Sequence, residues 1–161
     1  MKTRILKLLE ENCKYSPQDL AVMLNSTVEV IEKLTAELEE DKIICGYKML
    51  INWDKVSEID NVTALIEVKV APSRGEGFDK IAKRIYMFKE VEALYLMSGG
   101  FDLTVIVKGK SLKEVAMFVS KKLSALDEVL STGTHFVLKR YKDHGVIFEQ
   151  HKKDERMVVS P

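Results

Sequence analysis

The chain has 161 residues with 25 Lys+Arg against 25 Asp+Glu, a formal net charge of zero, and 46% hydrophobic and 31% charged residues. This excludes a disordered chain, which needs low hydrophobicity and unbalanced charge. The apolar runs, such as Ile43 to Cys45 and Leu94 to Met97, fall far short of the roughly 18 apolar residues of a membrane span. Met1-Lys2-Thr3-Arg4 leads into mixed Leu, Lys and Glu, not an apolar signal segment, so a cytoplasmic protein with no membrane partner is expected.

The neutral total hides a division: residues 1–60 hold 8 Lys+Arg and 12 Asp+Glu, and residues 61–161 hold 17 and 13. The hydrophobic period changes near the same place. In the first part, Ile5, Leu6, Leu8 and Leu9 draw a helical stripe that ends around Asn12-Cys13. Ser16-Pro17-Gln18-Asp19 reads as the start of a second helix, with Ser16 as N-cap, Pro17 in the first turn and Asp19 in capping-box position. That helix stops at Asn25. Ser26 with Glu29 reads as another capping-box pair, and Val28, Ile31, Leu34 and Leu38 then mark one buried helical face. After Glu40-Asp41-Lys42, the run Ile43 to Ile51 is rich in β-formers and predicts a strand, a wing or a link.

Two short helices joined tightly, with a packing helix before and a strand after, predict a helix-turn-helix whose last helix enters the DNA major groove. Candidate contacts are Ser26, Thr27, Glu29 and Lys33 at the start of that helix, with Lys42 and Lys48 beyond it. The competing reading is a three-helix bundle that holds no nucleic acid. Its support is the outward set Glu29, Glu32, Lys33, Ala36, Glu37 and Glu40, because phosphate contact is made by Lys and Arg and not by carboxylates.

From residue 62 strands and helices alternate. Val62 to Val70 has a period of two and ends at Ala71-Pro72-Ser73-Arg74-Gly75. Phe78, Ile81, Ala82, Ile85 and Phe88 mark a helix. Val91 to Met97 and Phe101 to Lys108 are strands of a hairpin around Ser98-Gly99-Gly100. Leu112, Val115, Ala116, Val119 and Leu123 mark one further helix, and Val129 to Tyr141 a last strand. The order βαββαβ predicts a ferredoxin-like sheet with both helices on one face. Leu94 and Leu96 oppose Ala93, Tyr95 and Met97, so the second face is apolar too and predicts a dimer partner. The expected architecture is α+β: a helix-turn-helix (winged-helix-like) domain with its following strand over 1–51, a linker over 52–61, a ferredoxin-like domain for effector binding and dimerisation over 62–143, and a C-terminal extension over 144–161.

The hairpin also offers the chemistry an α-amino acid requires, an anionic acceptor for the ammonium beside donors for the carboxylate. Asp102 supplies the acceptor, the backbone N–H groups around Gly99 and Gly100 supply donors without a Cβ in the way, Ser98 precedes them in the turn, and Thr132 and Thr134 add hydroxyls from the last strand. The plainer reading is a Gly-Gly turn capped by Asp102, with the threonines as ordinary β-formers. Side-chain selectivity would fall to apolar neighbours such as Leu96 or Met97. Catalytic and metal motifs are not found: His135, His144 and His151 lack zinc spacing, Cys13 and Cys45 form no Cys-x-x-Cys, and no nucleophile elbow or Walker loop occurs. No cofactor is expected.

Taken together, the helix-turn-helix, the βαββαβ order, Gly99 to Asp102 as a Gly-x-Phe/Tyr-Asp turn, Thr132 and Thr134 as a Thr-x-Thr, and Leu38-Glu39-Glu40 to Ile44 with Gly46-Tyr47 resemble the leucine-responsive regulatory protein (Lrp/AsnC) family of transcription regulators. The resemblance covers residues 1 to about 143. It implies amino-acid sensing by the second domain, dimers that assemble into octamers or larger discs, and promoter binding through paired helix-turn-helix units. This sequence departs from the pattern at Leu34 and Glu37, near positions where the family carries Arg or Lys, and at Lys42, where the family has a helix-ending Gly. A rival reading is an amino-acid sensor or partner-binding module with a degenerate helix-turn-helix; a minor one is an enzyme similar to siroheme decarboxylases, which share the two-domain layout but whose His-Asn-Tyr-type signature is absent.

Overall fold

The computed structural model describes residues 1–56, 61–71, 75 and 77–148. Expectations for the Pro72 to Arg74 turn, for His151 and for the rest of the extension beyond Phe148 fall outside the described residues. The chain divides into two compact units, Met1–Ile51 and Asn52–Pro161.

The first unit is three helices, α1 (Lys2–Glu11), α2 (Pro17–Leu24) and α3 (Val28–Glu40). Ile5, Leu20, Ala21, Leu24, Ile31 and Leu38 form its buried core, with Leu9, Tyr15, Leu34 and Ile44 packed around them. The start of α2 is as its sequence demands: Ser16 Oγ accepts from the Asp19 N–H at 3.1 Å while Asp19 Oδ2 accepts from the Ser16 N–H at 2.9 Å, so two orphan donors are satisfied together. The start of α3 differs from expectation. Thr27, not Ser26, is the N-cap, and its hydroxyl faces the Val30 N–H at 3.5 Å. Asn25 has to turn the chain in the left-handed region (φ 49°), which moves the cap one residue on.

The end of α3 satisfies its carbonyls without glycine. Lys42 takes φ 57°, its N–H donates to Glu39 O at 3.1 Å, and the Ile43 N–H donates to Leu38 O at 2.9 Å, the paired bonds of a Schellman ending. A side chain in this conformation is strained by about 1 kcal/mol. Lys42→Gly is therefore expected to stabilise the first unit by no more than about 0.5 kcal/mol, because the added freedom of the unfolded chain offsets roughly 0.4–1 kcal/mol of the strain relieved, read as a small upward shift of its urea midpoint. Ile43 to Ile51 is not a strand: the segment runs without ladder pairing, so the described residues show no wing. β-propensity alone made the expectation, and a strand needs a neighbour whose N–H and C=O groups are free.

The second unit is a four-stranded antiparallel sheet with order β2-β3-β1-β4, from β1 (Val62–Val70), β2 (Val91–Leu96), β3 (Leu103–Gly109) and β4 (Val129–Phe136). The helices are α4 (Asp79–Tyr86) and α5 (Leu112–Phe118). Register sorts the faces. Ala64, Ile66 and Val68 pair with Val107, Val105 and Leu103 and are buried against Ile81, Ile85, Val115, Phe118 and Leu123, so both helices cover this face. Leu94 and Leu96 pair with Val105 and Leu103 on it, whereas Tyr95 pairs with Thr104 on the other. That second face carries Leu65, Glu67, Thr104, Ile106 and His135.

Several boundaries differ from expectation. The helix drawn through Leu123 becomes a wide π turn over Val119–Leu123; ideal spacing from Phe118 would bring Lys122 inward, and one extra residue brings Leu123 to the core instead. The last strand stops at Phe136, because Leu138 is 96% exposed and has no sheet to join. Lys142–Asp143 (β5) and Val146–Ile147 (β6) then form a small hairpin through His144 and Gly145, both at positive φ. The His-Gly step was the readable signal for this turn.

Candidate functional site

The helix-turn-helix surface is built by the α2–α3 turn and the outer face of α3. Ser26 is half-buried in the turn; Thr27, Glu29, Lys33, Lys42 and Lys48 are exposed. α3 also exposes Val30, Glu32, Ala36, Glu39 and Glu40. Glu37, expected outward, is drawn partly inward by Lys2 of α1, whose ammonium lies 2.8 Å from its carboxylate. That hydrogen bond holds the Glu37 carboxyl below its ordinary value and raises Lys2. Glu29 is held low by its own backbone N–H and then by the Thr27 hydroxyl. Both carboxylates are therefore charged at neutral pH, and Lys33 is the one base among the outward residues of α3.

The second surface surrounds the β2–β3 turn. Ser98, Gly99 and Gly100 are exposed, and a Cβ at either glycine would meet nothing within 4 Å. Neither takes positive φ, so nothing within this chain demands glycine there; the bare backbone is open to an incoming group. Asp102 has a definite structural task. Its Oδ2 accepts from the Val70 N–H at 2.9 Å, its own N–H donates to Val68 O at 3.1 Å, and its carbonyl accepts from Met97 N–H at 2.8 Å. The carboxylate thus ties the end of β1 to the hairpin.

Thr132 and Thr134 are not brought to that turn. They pair with Val68 and Ile66, so they lie across β1 from β3, two strand spacings or about 9–10 Å away. The Thr132 hydroxyl points into the helical layer, 3.4 Å from Ser124 Oγ. What does adjoin the hairpin is a groove between α4 and β2, with a volume of about 340 Å³, lined by Phe78, Ala82, Tyr86, Leu94, Leu96 and Leu103 among others. Leu96 and Leu103 flank the turn in sequence, so the groove opens at its foot. Sequence reasoning named Leu96 but missed Phe78 and Tyr86, since only the packing of α4 on the β2 edge places them there. Among the described residues no group of three or more His, Cys, Asp or Glu is placed to hold a metal ion, and no helix is long and apolar enough to cross a membrane.

A three-helix unit joined to a ferredoxin-like domain is the two-domain architecture on which the comparisons with known proteins bear. A family model described as the Lrp/AsnC ligand binding domain matches residues 63–147. YugG of Bacillus subtilis, an uncharacterized HTH-type transcriptional regulator, is 49% identical over 160 residues, covering 99% of this chain and 96% of its own length. An uncharacterized HTH-type transcriptional regulator of Pyrococcus furiosus is 31% identical over 140 residues, covering 87% of this chain and 90% of its own. Among solved structures, a transcriptional regulator of Neisseria meningitidis in complex with L-Met matches with a TM-score of 0.70 at 20% identity, over 88% of this chain and 90% of that one. The chain belongs to the Lrp/AsnC family of HTH-type transcriptional regulators, and its second unit carries the family's ligand-binding domain. These relatives are named as transcriptional regulators, which speaks against the enzymatic reading.

Proposed function

We propose that the protein binds double-stranded DNA through α3 and Lys42, and that an amino-acid-type effector bound at the β2–β3 hairpin alters how paired reading units meet their half-sites. The carrying observation is the hairpin itself: unhindered backbone at Gly99 and Gly100 beside the Asp102 carboxylate, with an apolar groove at its foot. The effector's ammonium meets Asp102, its carboxylate meets the N–H groups of Ser98 to Gly100, and its side chain lies towards Leu96, Phe78 and Tyr86. A groove of this volume is in the range of small-molecule sites. Thr132 and Thr134, on the helix-covered face across β1, stand outside this site within one chain; a dimer that covers the open sheet face, and higher assembly such as an octamer, are part of the same reading. The L-Met bound by the Neisseria regulator supports the amino-acid class.

The effector assignment is tested by Asp102→Asn, which keeps an oxygen for the Val70 N–H and removes the charge. Across a panel of the twenty amino acids, the wild type is expected to gain roughly 2.7 kcal/mol for an effector at a hundredfold excess over its dissociation constant, and Asp102→Asn to lose most of that gain. An equal response from both proteins would confine Asp102 to its structural bond. DNA binding is tested by titrating the chain's own upstream DNA across a salt series, where phosphate contact gives a steep fall in affinity. The acidic face of α3 favours the second reading, a sensor whose helix-turn-helix is degenerate; no binding at low salt, with or without amino acids, would establish that reading in place of the first.

A further inference from the structure

The segment that leads out of the second unit towards α1–α3 is held by the hairpin that follows β4. Asn52 Nδ2 donates to the Phe148 carbonyl at 3.4 Å, across 96 residues of sequence. Phe148 is fixed in turn: its N–H donates to Tyr141 O at 2.9 Å, and the Arg140 guanidinium sits 5.4 Å from its ring centroid while pairing with Asp143 at 3.5 Å. The base of this arrangement is the sheet itself, since Val137 N–H donates to Thr63 O at 2.9 Å and so continues the β4–β1 pairing beyond Phe136. Asn52, Trp53, Thr63, Val137, Arg140 and Phe148 line a common cavity of about 50 Å³. Asn52 Oδ1 is buried there with no partner among the described residues, and a space of this size with polar walls suits a bridging water. Trp53 to Lys55 follow as a 3₁₀ turn, its bonds running from Lys55 N–H to Asn52 O and from Val56 N–H to Trp53 O.

We propose that Phe148 and Arg140 are positioning residues for DNA recognition: the C-terminal hairpin clasps Asn52 and Trp53 and so restricts the directions in which the chain leaves the sensing unit. The inference rests on the proposed binding of paired half-sites, because only there does linker freedom matter. Two reading units on one DNA gain from each other through effective concentration, which falls as the joints holding them loosen. An isolated two-stranded hairpin is marginal in water, so β5 and β6 owe their place to this contact and release it readily when the contact is weakened.

The chain's single tryptophan lies in the clasp and reports on it without DNA. In the full chain, Phe148→Ala is expected to raise the acrylamide quenching constant of Trp53 at least twofold, with Phe148→Leu near wild type. Asn52→Ala, which removes the bond from the opposite side, should act in the same direction and stands in if the first variant does not fold. Affinity for DNA with two half-sites should fall at least fivefold in Phe148→Ala, while affinity for a single half-site stays as in the wild type. Unchanged quenching in both variants overturns the clasp. Raised quenching with unchanged two-site affinity overturns the positioning role. If the wild type binds neither DNA, the regulator reading fails and takes the positioning role with it, whereas the clasp is still decided by Trp53.

Discussion

Ile31→Ala is expected to unfold the three-helix unit and leave the sheet unit folded. Ile31 is 0% exposed in a core of six buried side chains, and truncating a buried Ile to Ala costs about 2–5 kcal/mol. A unit of 51 residues has a total stability of only about 3–8 kcal/mol at typical values per residue. One cavity therefore removes from about a quarter to the whole of it, enough to unfold the unit over most of that range. The second unit keeps its own core around Ile66, Val68, Val105 and Ile85. Thermal melts followed by helical circular dichroism should show an early loss, while Trp53 fluorescence reports a later transition close to that of the wild type. A single transition within a few degrees of wild type by both probes would show that Ile31 is not central to an independent core. The reciprocal change, Ile66→Ala, should lower the Trp53 transition first.

The second large effect concerns the acidic face of α3. Glu32 and Ala36 are exposed on the face of α3 that also carries Glu29, Lys33 and Glu40, and neither contributes to the core of the unit. Glu32→Lys combined with Ala36→Lys reverses one charge and adds another where DNA would approach. The expected result is a gain in DNA affinity of about tenfold or more at low salt. The slope of log affinity against log salt should steepen by about 0.9 for each lysine that meets a phosphate. Glu29 is left in place because its carboxylate is engaged with the first turn of its own helix, so changing it would mix helix stability with recognition. An unchanged affinity and slope would mean that α3 does not face the phosphates, which removes the proposed docking mode while leaving the fold intact.

Much of the architecture was legible because its signals are local. Ser16, Pro17 and Asp19 form their capping box within four residues, so no tertiary contact was needed to predict it. β1 runs over Val62–Val70 as its alternation says, since the period of two is itself the imprint of a half-buried sheet. The hairpin of β2 and β3 closes about the Gly-Gly turn. The boundaries that moved did so where a local signal competed with packing. Thr27 replaced Ser26 as cap because of the left-handed turn at Asn25, and Leu123 drew α5 into a π turn because the core needed an apolar residue at that point.

The candidate site was legible only in part. Asp102, Gly99 and Gly100 are neighbours in sequence and in space, so a motif of five residues sufficed to name them. Thr132 and Thr134 were joined to them by chain logic, and register alone shows that β1 stands between. Phe78 and Tyr86 line the groove through the packing of α4 against the β2 edge, a contact that carries no spacing signal.

The sequence by itself determined the two-part organisation, the helix-turn-helix, the βαββαβ order and the acidity of α3, because periodicity, caps and charge are properties of short stretches. Only the tertiary structure decided which face each strand turns to the helices, that Asp102 is already committed to the Val70 N–H, and that Phe148 closes back on Asn52. Those depend on strand register and on contacts between residues far apart in the chain, and their geometry exists only once the sheet has formed.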